Sequence, residues 1–207
     1  MHYLPRRCPR ADVRGLGRND ATRATVAWGL EMTHFAATQA VAVLGRAGVK
    51  LEPGLTDQEI TAVQQRYGFA FNPDHRASIE RVVPSGPRWP DWRDGDLTKV
   101  FEWPIHGVCF DVRHDGYWHA EWPDRPDSSD AAEALAAQYV RQWPRLVPVY
   151  SHGYAPAAAG SPVLSVHQTD IIYYGPNLID YLRIELPHEP RDISTLSYEP
   201  PYWSEFC

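Results

Sequence analysis

Two histidines and an aspartate lie just after two apolar runs that have the composition of β-strands. His152 follows residues 146–150, while His167 and Asp170 follow residues 162–166. Imidazole and carboxylate groups bind divalent metals and can act as general bases, so an enzyme that uses these three residues is one hypothesis. A buried histidine oriented by Asp170 is the other, and it requires no ligand. Because the spacing matches no closed metal site, we predict no metal and no cofactor.

The chain contains none of the common catalytic or cofactor-binding motifs. It has no G-x-S-x-G nucleophile turn, no glycine-rich phosphate loop, no H-E-x-x-H zinc motif and no G-x-G-x-x-G dinucleotide motif. Cys8, Cys109 and Cys207 are far apart and form no C-x-x-C pair, so neither a disulfide framework nor a zinc knuckle is indicated. We therefore predict a protein without catalytic residues, and a metal-dependent or general-base enzyme that uses the two histidines and the aspartate is the alternative.

Aromatic side chains are the other candidates for a functional surface. Trp89, Asp91 and Trp92 lie in a proline-rich loop over residues 84–104, where the tryptophans either anchor the loop to the core or face a partner. Tyrosine and tryptophan offer a large contact area with few rotatable bonds. The predicted binding residues combine this loop with the histidines and the tyrosines near them: Trp89, Asp91, Trp92, His152, Tyr154, His167, Asp170, Tyr173 and Tyr174.

Local patterns in the first half of the chain predict three helices. Apolar residues recur at helical spacing over residues 32–48, and a glycine follows at the expected stop. Thr56 and Glu59 have the spacing of a capping box, which predicts a helix over 56–67. The Asn-Pro pair that opens the segment 72–83 is a typical helix start, so a third helix is expected there.

The second half of the chain mixes strands with helices. Residues 108–112 and 117–122 flank a His-Asp-Gly turn and have β-type composition, which predicts an antiparallel hairpin. A helix, two strands and a final helix are expected over residues 131–143, 146–150, 162–166 and 177–186. Because strands and helices do not alternate one by one along the chain, this order predicts an α+β fold with a central antiparallel sheet flanked by helices.

Composition and charge limit the number of domains and the class of partner. With 207 residues, of which 43% are hydrophobic, the chain has the size of one domain, expected over residues 26–186 between a disordered basic tail (1–25) and an extended tail (187–207). No apolar run reaches the length of a membrane span and no secretory-signal pattern occurs, so we expect a cytoplasmic protein without a membrane partner.

The charge is unevenly distributed along the chain. Six arginines outweigh two aspartates in residues 1–25 and give +4, and since the whole chain carries −6, the remainder carries −10. An acidic body repels the phosphates of nucleic acid and suits a basic protein partner. We therefore expect a protein as the partner and disfavour nucleic acid.

Short motifs follow one another in a fixed order between residues 55 and 186. They are Leu55-Thr56-Asp57-Gln58-Glu59-Ile60, Arg66-Tyr67-Gly68-Phe69, Asn72-Pro73-Asp74-His75-Arg76, Pro90-Asp91-Trp92-Arg93, Phe110-Asp111-Val112, Leu146-Val147-Pro148-Val149-Tyr150-Ser151-His152, and Ser165-Val166-His167-Gln168-Thr169-Asp170-Ile171-Ile172-Tyr173-Tyr174-Gly175. In these motifs and their order, the segment resembles the SUKH superfamily, the bacterial relatives of the yeast Smi/Knr cell-wall-assembly regulator. The resemblance implies an α+β fold with a central antiparallel sheet, no catalytic residues and a protein-binding function. Because many members are immunity proteins that neutralise toxins, it makes a toxin domain with a basic surface the expected partner.

Overall fold

The structure is a computed structural model that describes residues 34–186, 194–195 and 198–207. Over these residues the chain forms the predicted α+β fold, with six helices and two antiparallel sheets. The helices are α1 (34–46), α2 (Asp57–Tyr67), α3 (Pro73–Ile79), α4 (Thr98–His114), α5 (Ser129–Val140) and α6 (Leu178–Glu185). The strands are β1 (Lys50–Pro53), β2 (Val82–Ser85), β3 (Val147–Tyr150), β4 (Gly153–Ala155), β5 (Val163–His167) and β6 (Asp170–Gly175).

A four-stranded sheet forms the centre of the molecule. Its strands follow the order β3-β4-β5-β6, and each neighbouring pair is antiparallel. Side chains of successive strand residues point to opposite faces of a sheet, so both faces can be covered. Leu164 and Val166 join a core with α4 and α5 on one face, while Val149 and Val163 join a core with α1 and α6 on the other. Helices therefore flank the sheet on both sides, as predicted.

The capping box predicted at the start of α2 is present. The Glu59 N–H donates to Thr56 Oγ1 at 3.2 Å, and the Thr56 N–H donates to Glu59 Oε2 at 2.7 Å. Gly68 ends the helix with a left-handed φ of 64°, a conformation that suits glycine because it lacks a Cβ. Ile60 and Leu55 are both buried in a third core cluster, which α2, α3 and β2 share with the loop before α4.

The third predicted helix is shorter than expected. α3 begins as predicted, with Asn72 as its N-cap, but it ends at Ile79 and not near Val83. Residues 82–85 form β2, which pairs antiparallel with β1 so that Val83 lies opposite Glu52. Valine favours extended backbone, and the pairing strand lies about thirty residues earlier, where a local helix pattern could not reveal it.

The largest departure from the sequence predictions is α4. The predicted proline-rich loop is confirmed over residues 86–97 but does not extend to residue 104, because residues 98–114 form one helix. The predicted hairpin over 108–122 is wrong, because residues 117–122 contain no strand. The residues that α4 buries lie three or four positions apart, as a helix facing a core requires: Phe101, Pro104, Ile105, Val108, Cys109, Asp111 and Val112. A proline in the middle of this segment hid the helical spacing.

Pro104 lies inside α4 and has no N–H to donate to the Val100 carbonyl four residues earlier. The Tyr154 hydroxyl, from β4, donates to that carbonyl oxygen at 3.0 Å. Tyr154 is buried, and burial raises the pKa of its hydroxyl, so the group remains a protonated donor. A side chain of the central sheet therefore replaces the backbone hydrogen bond that the proline removes.

The remaining elements follow the sequence patterns more closely. α5 and α6 form where helices were predicted, with the side chains of Ser128 and Asn177 as their N-caps. β3 and β5 match the two predicted strands, whereas β4 and β6 were not predicted. No helix of the described residues is both long enough and apolar enough to span a bilayer.

The end of the chain is part of the core. Trp203 begins a short 3₁₀ helix over Trp203–Phe206, is 2% exposed, and donates its indole N–H to the Pro144 carbonyl oxygen at 2.7 Å. The predicted extended tail over 187–207 is therefore wrong for these last residues. The predicted basic tail over residues 1–25 lies outside the described residues.

Candidate functional site

Three of the predicted binding residues lie together in one open cleft. His152, Tyr154 and His167 line it from the β3–β4 hairpin and the end of β5, and the first turns of α4 form the opposite wall. The cleft has a volume of about 400 Å³, which is enough for a side chain or a small ligand. We call it the histidine cleft, and its lining residues are Lys99, Val100, Trp103, Ser151, His152, Tyr154, Val166 and His167.

Trp103 is the largest side chain of the histidine cleft, and the sequence analysis did not identify it. Its indole N–H donates to the Val166 carbonyl oxygen at 3.1 Å, yet the residue is 47% exposed. The hydrogen bond restricts the orientation of the ring, so an incoming group meets an aromatic surface that is already ordered. Its position off the buried stripe of α4 would have indicated exposure, but only once the segment was recognised as a helix.

His152 has polar and aromatic neighbours on both sides of its ring. Its Nδ1 lies 3.4 Å from Ser151 Oγ, and its Nε2 lies 3.7 Å from Glu185 Oε1. The Tyr174 ring meets the imidazole edge-on, with ring centroids 5.4 Å apart. An activated Ser–His pair requires a hydrogen bond of about 2.6–3.2 Å. The contact between Ser151 and His152 is longer than this range.

His167 and Asp170 do not form the buried pair that the sequence predicted. They lie opposite each other where β5 turns into β6, but both are exposed, and the side-chain hydrogen bonds of the described residues include none between them. The carboxylate that holds this turn belongs to Asp111 of α4. It accepts hydrogen bonds from the Thr169 N–H at 2.8 Å and from the Thr169 hydroxyl at 2.5 Å, and Asp111 is 5% exposed. A carboxylate from a distant helix therefore holds this turn, and the predicted orientation of a buried His167 by Asp170 is wrong. Asp170 does not line the cleft.

The other predicted binding residues lie outside the histidine cleft. Trp92 is buried among the aromatic rings of the third core cluster. Trp89 is partly buried and packs against the Tyr150 ring, with ring centroids 4.3 Å apart. Asp91 accepts hydrogen bonds from N–H groups of its own loop. Tyr173 packs against the core between the sheet and α4. These residues stabilise the loop and the sheet, and the structure does not bring them to the cleft.

Ionisable groups of the described residues do not assemble into a metal site. In this part of the chain no three or more His, Cys, Asp or Glu side chains are grouped so that they could hold a metal ion. Cys109 lies on the buried side of α4, where burial, together with the charge of Glu133, raises the pKa of its thiol to about 11. The thiol is therefore protonated at neutral pH and is a poor nucleophile.

A second exposed feature continues along α4 from the cleft. Phe110 lies seven residues after Trp103, which places it on the same side of the helix about 10 Å further along. It is 46% exposed and packs against the His114 ring, with ring centroids 4.4 Å apart. The charged residues nearby on α4, Glu102 and Arg113, form ion pairs with α5 and its C-cap. The outer side of α4 therefore presents two aromatic side chains, Trp103 and Phe110, which we call the α4 aromatic face. Gly107 lies between them, and the β5–β6 turn packs against it.

The loop after α4 is acidic. Four of its carboxylates are exposed and form no ion pair with any other described residue: Asp115, Glu121, Asp124 and Asp127. Arg125 lies between them, but its guanidinium stacks over the Trp118 ring at 5.6 Å and donates to the Val112 carbonyl oxygen at 2.6 Å. We call residues 115–127 the acidic segment. Carboxylates therefore follow the last turn of α4, whereas the lining of the cleft at its first turns is basic, with Asp96 as an exposed carboxylate beside it.

Comparison with known proteins gives no family for this chain. No protein-family model, curated protein or solved structure matches it. Function is therefore inferred from the geometry and charge of the histidine cleft, the α4 aromatic face and the acidic segment.

Proposed function

We propose that this chain is a non-catalytic protein-binding module that binds its partner along the outer side of α4. The observation that carries the proposal is the α4 aromatic face, where Trp103 and Phe110 leave nearly half of their surface exposed on one side of one helix. Aromatic residues are enriched at the centres of protein interfaces, because burying them removes much apolar area from water at a small entropic cost. The rigid helix and the hydrogen bond from Trp103 reduce that entropic cost further.

The charge of the acidic segment supports a basic partner. Its unpaired carboxylates lie next to the end of α4 that carries Phe110, so a positively charged surface would be steered towards the aromatic face. The resemblance of residues 55–186 to the SUKH superfamily narrows the proposal to an immunity-type inhibitor of a toxin domain with a basic surface. In that role the module would cover the toxin surface and would need no catalytic residue of its own.

The proposal is tested by removing the α4 aromatic face. Toxin domains encoded beside the gene are co-expressed with the wild-type protein, and any toxin that it neutralises is then used to measure the dissociation constant. We expect Trp103→Ala and Phe110→Ala each to weaken binding by about tenfold, because truncating an interface anchor typically costs 1–2 kcal/mol or more.

Phe35→Ala is the matched control for this experiment. Phe35 is 57% exposed on α1, so its truncation removes an equally exposed aromatic ring from a different helix. We expect this variant to bind like the wild type. Failure of every neighbouring toxin to bind, or equal binding by the control and a Trp103→Ala, Phe110→Ala double variant, would contradict the proposal.

A further inference from the structure

The side chains that line the histidine cleft include bases but no acid. Lys99, His152 and His167 supply an ammonium and two imidazoles, and Ser151 adds a hydroxyl. The hydroxyl of Tyr154, which also lines the cleft, is committed to the Val100 carbonyl oxygen. The free polar groups of the cleft are therefore mainly hydrogen-bond donors or groups that become donors on protonation.

Lys99 has no direct ion-pair partner among the described residues. It is exposed, and no carboxylate of the described residues lies within 4 Å of its ammonium group. Lys50, the other lysine of the chain, pairs with Glu52 at 3.2 Å. His167 is also exposed and has no ion pair with the described residues. Acidic groups lie behind or beside the lining, with Asp96 near Lys99, Glu185 next to His152 and Asp170 opposite His167 in the hairpin.

Two tight turns at the cleft hold non-glycine residues in a conformation that favours glycine. Ser151 has a φ of 52° in the β3–β4 turn, and Gln168 has a φ of 57° in the β5–β6 turn, next to His167. A left-handed conformation in a non-glycine residue is unfavourable and is found more often where a side chain has a functional use. Ser151 lines the cleft, and its hydroxyl lies 3.4 Å from His152 Nδ1.

We infer that the histidine cleft binds an acidic peptide segment of the protein partner, with a carboxylate facing Lys99 and His167 and an adjacent apolar side chain against Trp103. The inference rests on the proposed function, and it adds the chemistry of the partner at one end of α4. Charge complementarity selects this occupant, because unpaired bases and a donor hydroxyl favour an anion, and the exposed indole favours an apolar neighbour. The acidic segment lies at the other end of α4. The bases of the cleft and the carboxylates of the acidic segment together therefore favour one orientation of the partner along the helix.

The test uses two blocked peptides and the intact protein. The acidic probe is acetyl-Gly-Asp-Phe-Glu-Gly-amide, and its neutral analogue replaces Asp with Asn and Glu with Gln. Acylation of lysine amines is followed by mass spectrometry, with Lys50 as the internal control because it lies outside the cleft. We expect saturating acidic peptide to slow acylation of Lys99 at least threefold while the rate at Lys50 is unchanged, and we expect no effect of the neutral peptide.

Binding constants of variants complete the test. Lys99→Met should weaken binding of the acidic peptide by about threefold to tenfold, as expected for loss of one partly exposed charge pair, whereas Lys50→Met should leave it unchanged. Equal binding of the two peptides, or equal effects of the two lysine variants, would overturn the inference. These measurements use no toxin, so a negative result with the peptides would not contradict toxin binding by the α4 aromatic face. Conversely, a negative result with the toxins would contradict the proposed function, while peptide binding by the cleft could still be measured.

Discussion

A hydrogen bond from one side chain replaces the backbone hydrogen bond that Pro104 cannot form. The contribution of this side chain to the free energy of unfolding can be measured. Tyr154→Phe removes the hydroxyl that donates to the Val100 carbonyl oxygen and leaves a buried acceptor without a partner. We expect the free energy of unfolding to fall by about 1–3 kcal/mol, measured by urea denaturation.

Pro104→Ala provides the control in a double-mutant cycle. Alanine at this position restores an N–H that can donate to Val100, so the Tyr154 hydroxyl becomes less necessary. In that background Tyr154→Phe should cost clearly less than in the wild type. The same cost in both backgrounds would show that the hydroxyl does not compensate for the proline.

His75 is a buried base in apolar surroundings and should make stability depend on pH. It is 5% exposed, its Nδ1 has no hydrogen-bond partner, and burial lowers the pKa of its imidazole from 6.5 to about 4. Below pH 6.5 the unfolded chain binds a proton that the folded protein binds only near pH 4, so the free energy of unfolding falls as the pH falls through this interval. The full effect, reached at about pH 4, is about 3 kcal/mol.

The measurement compares wild type and His75→Leu between pH 6.5 and 4.5. The lower limit avoids the contribution of Glu59, whose pKa is lowered to about 2 by hydrogen bonds from Thr56 and whose stabilisation is lost as the pH falls below 4.5. We expect the free energy of unfolding of the leucine variant to depend less steeply on pH than that of the wild type. The control variant His167→Ala, which changes an exposed histidine, should keep the wild-type pH dependence. An unchanged slope in His75→Leu would mean that other groups cause the pH dependence.

At the scale of elements, α4 and the β5–β6 hairpin are joined by close backbone approach and one carboxylate. A Cβ on Gly107 would lie 2.8 Å from the Cα of Gln168, so only glycine lets the helix approach the turn this closely. Four residues later on α4, Asp111 binds the N–H and hydroxyl of Thr169. The same contact places the cleft residues of β5 opposite Trp103.

Asp111→Ala should therefore destabilise the protein, whereas Asp170→Ala should not. Removing Asp111 leaves two donors of Thr169 without their acceptor, which we expect to cost about 1–3 kcal/mol in urea denaturation. Asp170 is exposed and without a hydrogen bond to His167, so its replacement should change stability by less than about 0.5 kcal/mol. A larger loss of stability in Asp170→Ala than in Asp111→Ala would instead support the structural role that the sequence predicted for Asp170.

At the scale of the whole molecule, the last residues of the chain close the core on the α5 side of the sheet. Trp203 packs edge-on against Trp143, with ring centroids 4.9 Å apart, and belongs to the same core cluster as α4 and α5. This contact joins the end of the chain to residues about sixty positions earlier. The described C-terminal residues therefore contribute to the stability of the fold.

Trp203→Ala should lower the free energy of unfolding by about 3–5 kcal/mol, the range for truncating a buried aromatic side chain. Tyr202→Ala is the neighbouring comparison, because Tyr202 is 38% exposed and stacks on Trp143 from outside. We expect it to cost less than about 1.5 kcal/mol. Equal melting temperatures for Trp203→Ala and the wild type would support the extended tail that the sequence predicted.

Elements whose signals lie within a few residues could be predicted from the amino-acid sequence. The capping box of α2 joins Thr56 and Glu59, three positions apart, and the N-cap of α6 joins Asn177 and Asp180 in the same way. Alternation and apolar composition were sufficient for β3 and β5, and hence for the α+β class. His152, Tyr154 and His167 were found because they lie on or next to these strands.

α4, which forms one wall of the candidate site, depends on contacts between residues that are distant in the sequence. A helix containing Pro104 is stable here because Tyr154 supplies a donor from 54 positions away, and the turn at Thr169 is held by Asp111 from 58 positions away. No local pattern contains these partners, so the segment was predicted as a loop and a hairpin. Lys99 and Trp103 were missed for the same reason, because their place in the cleft depends on the helix that those distant contacts permit.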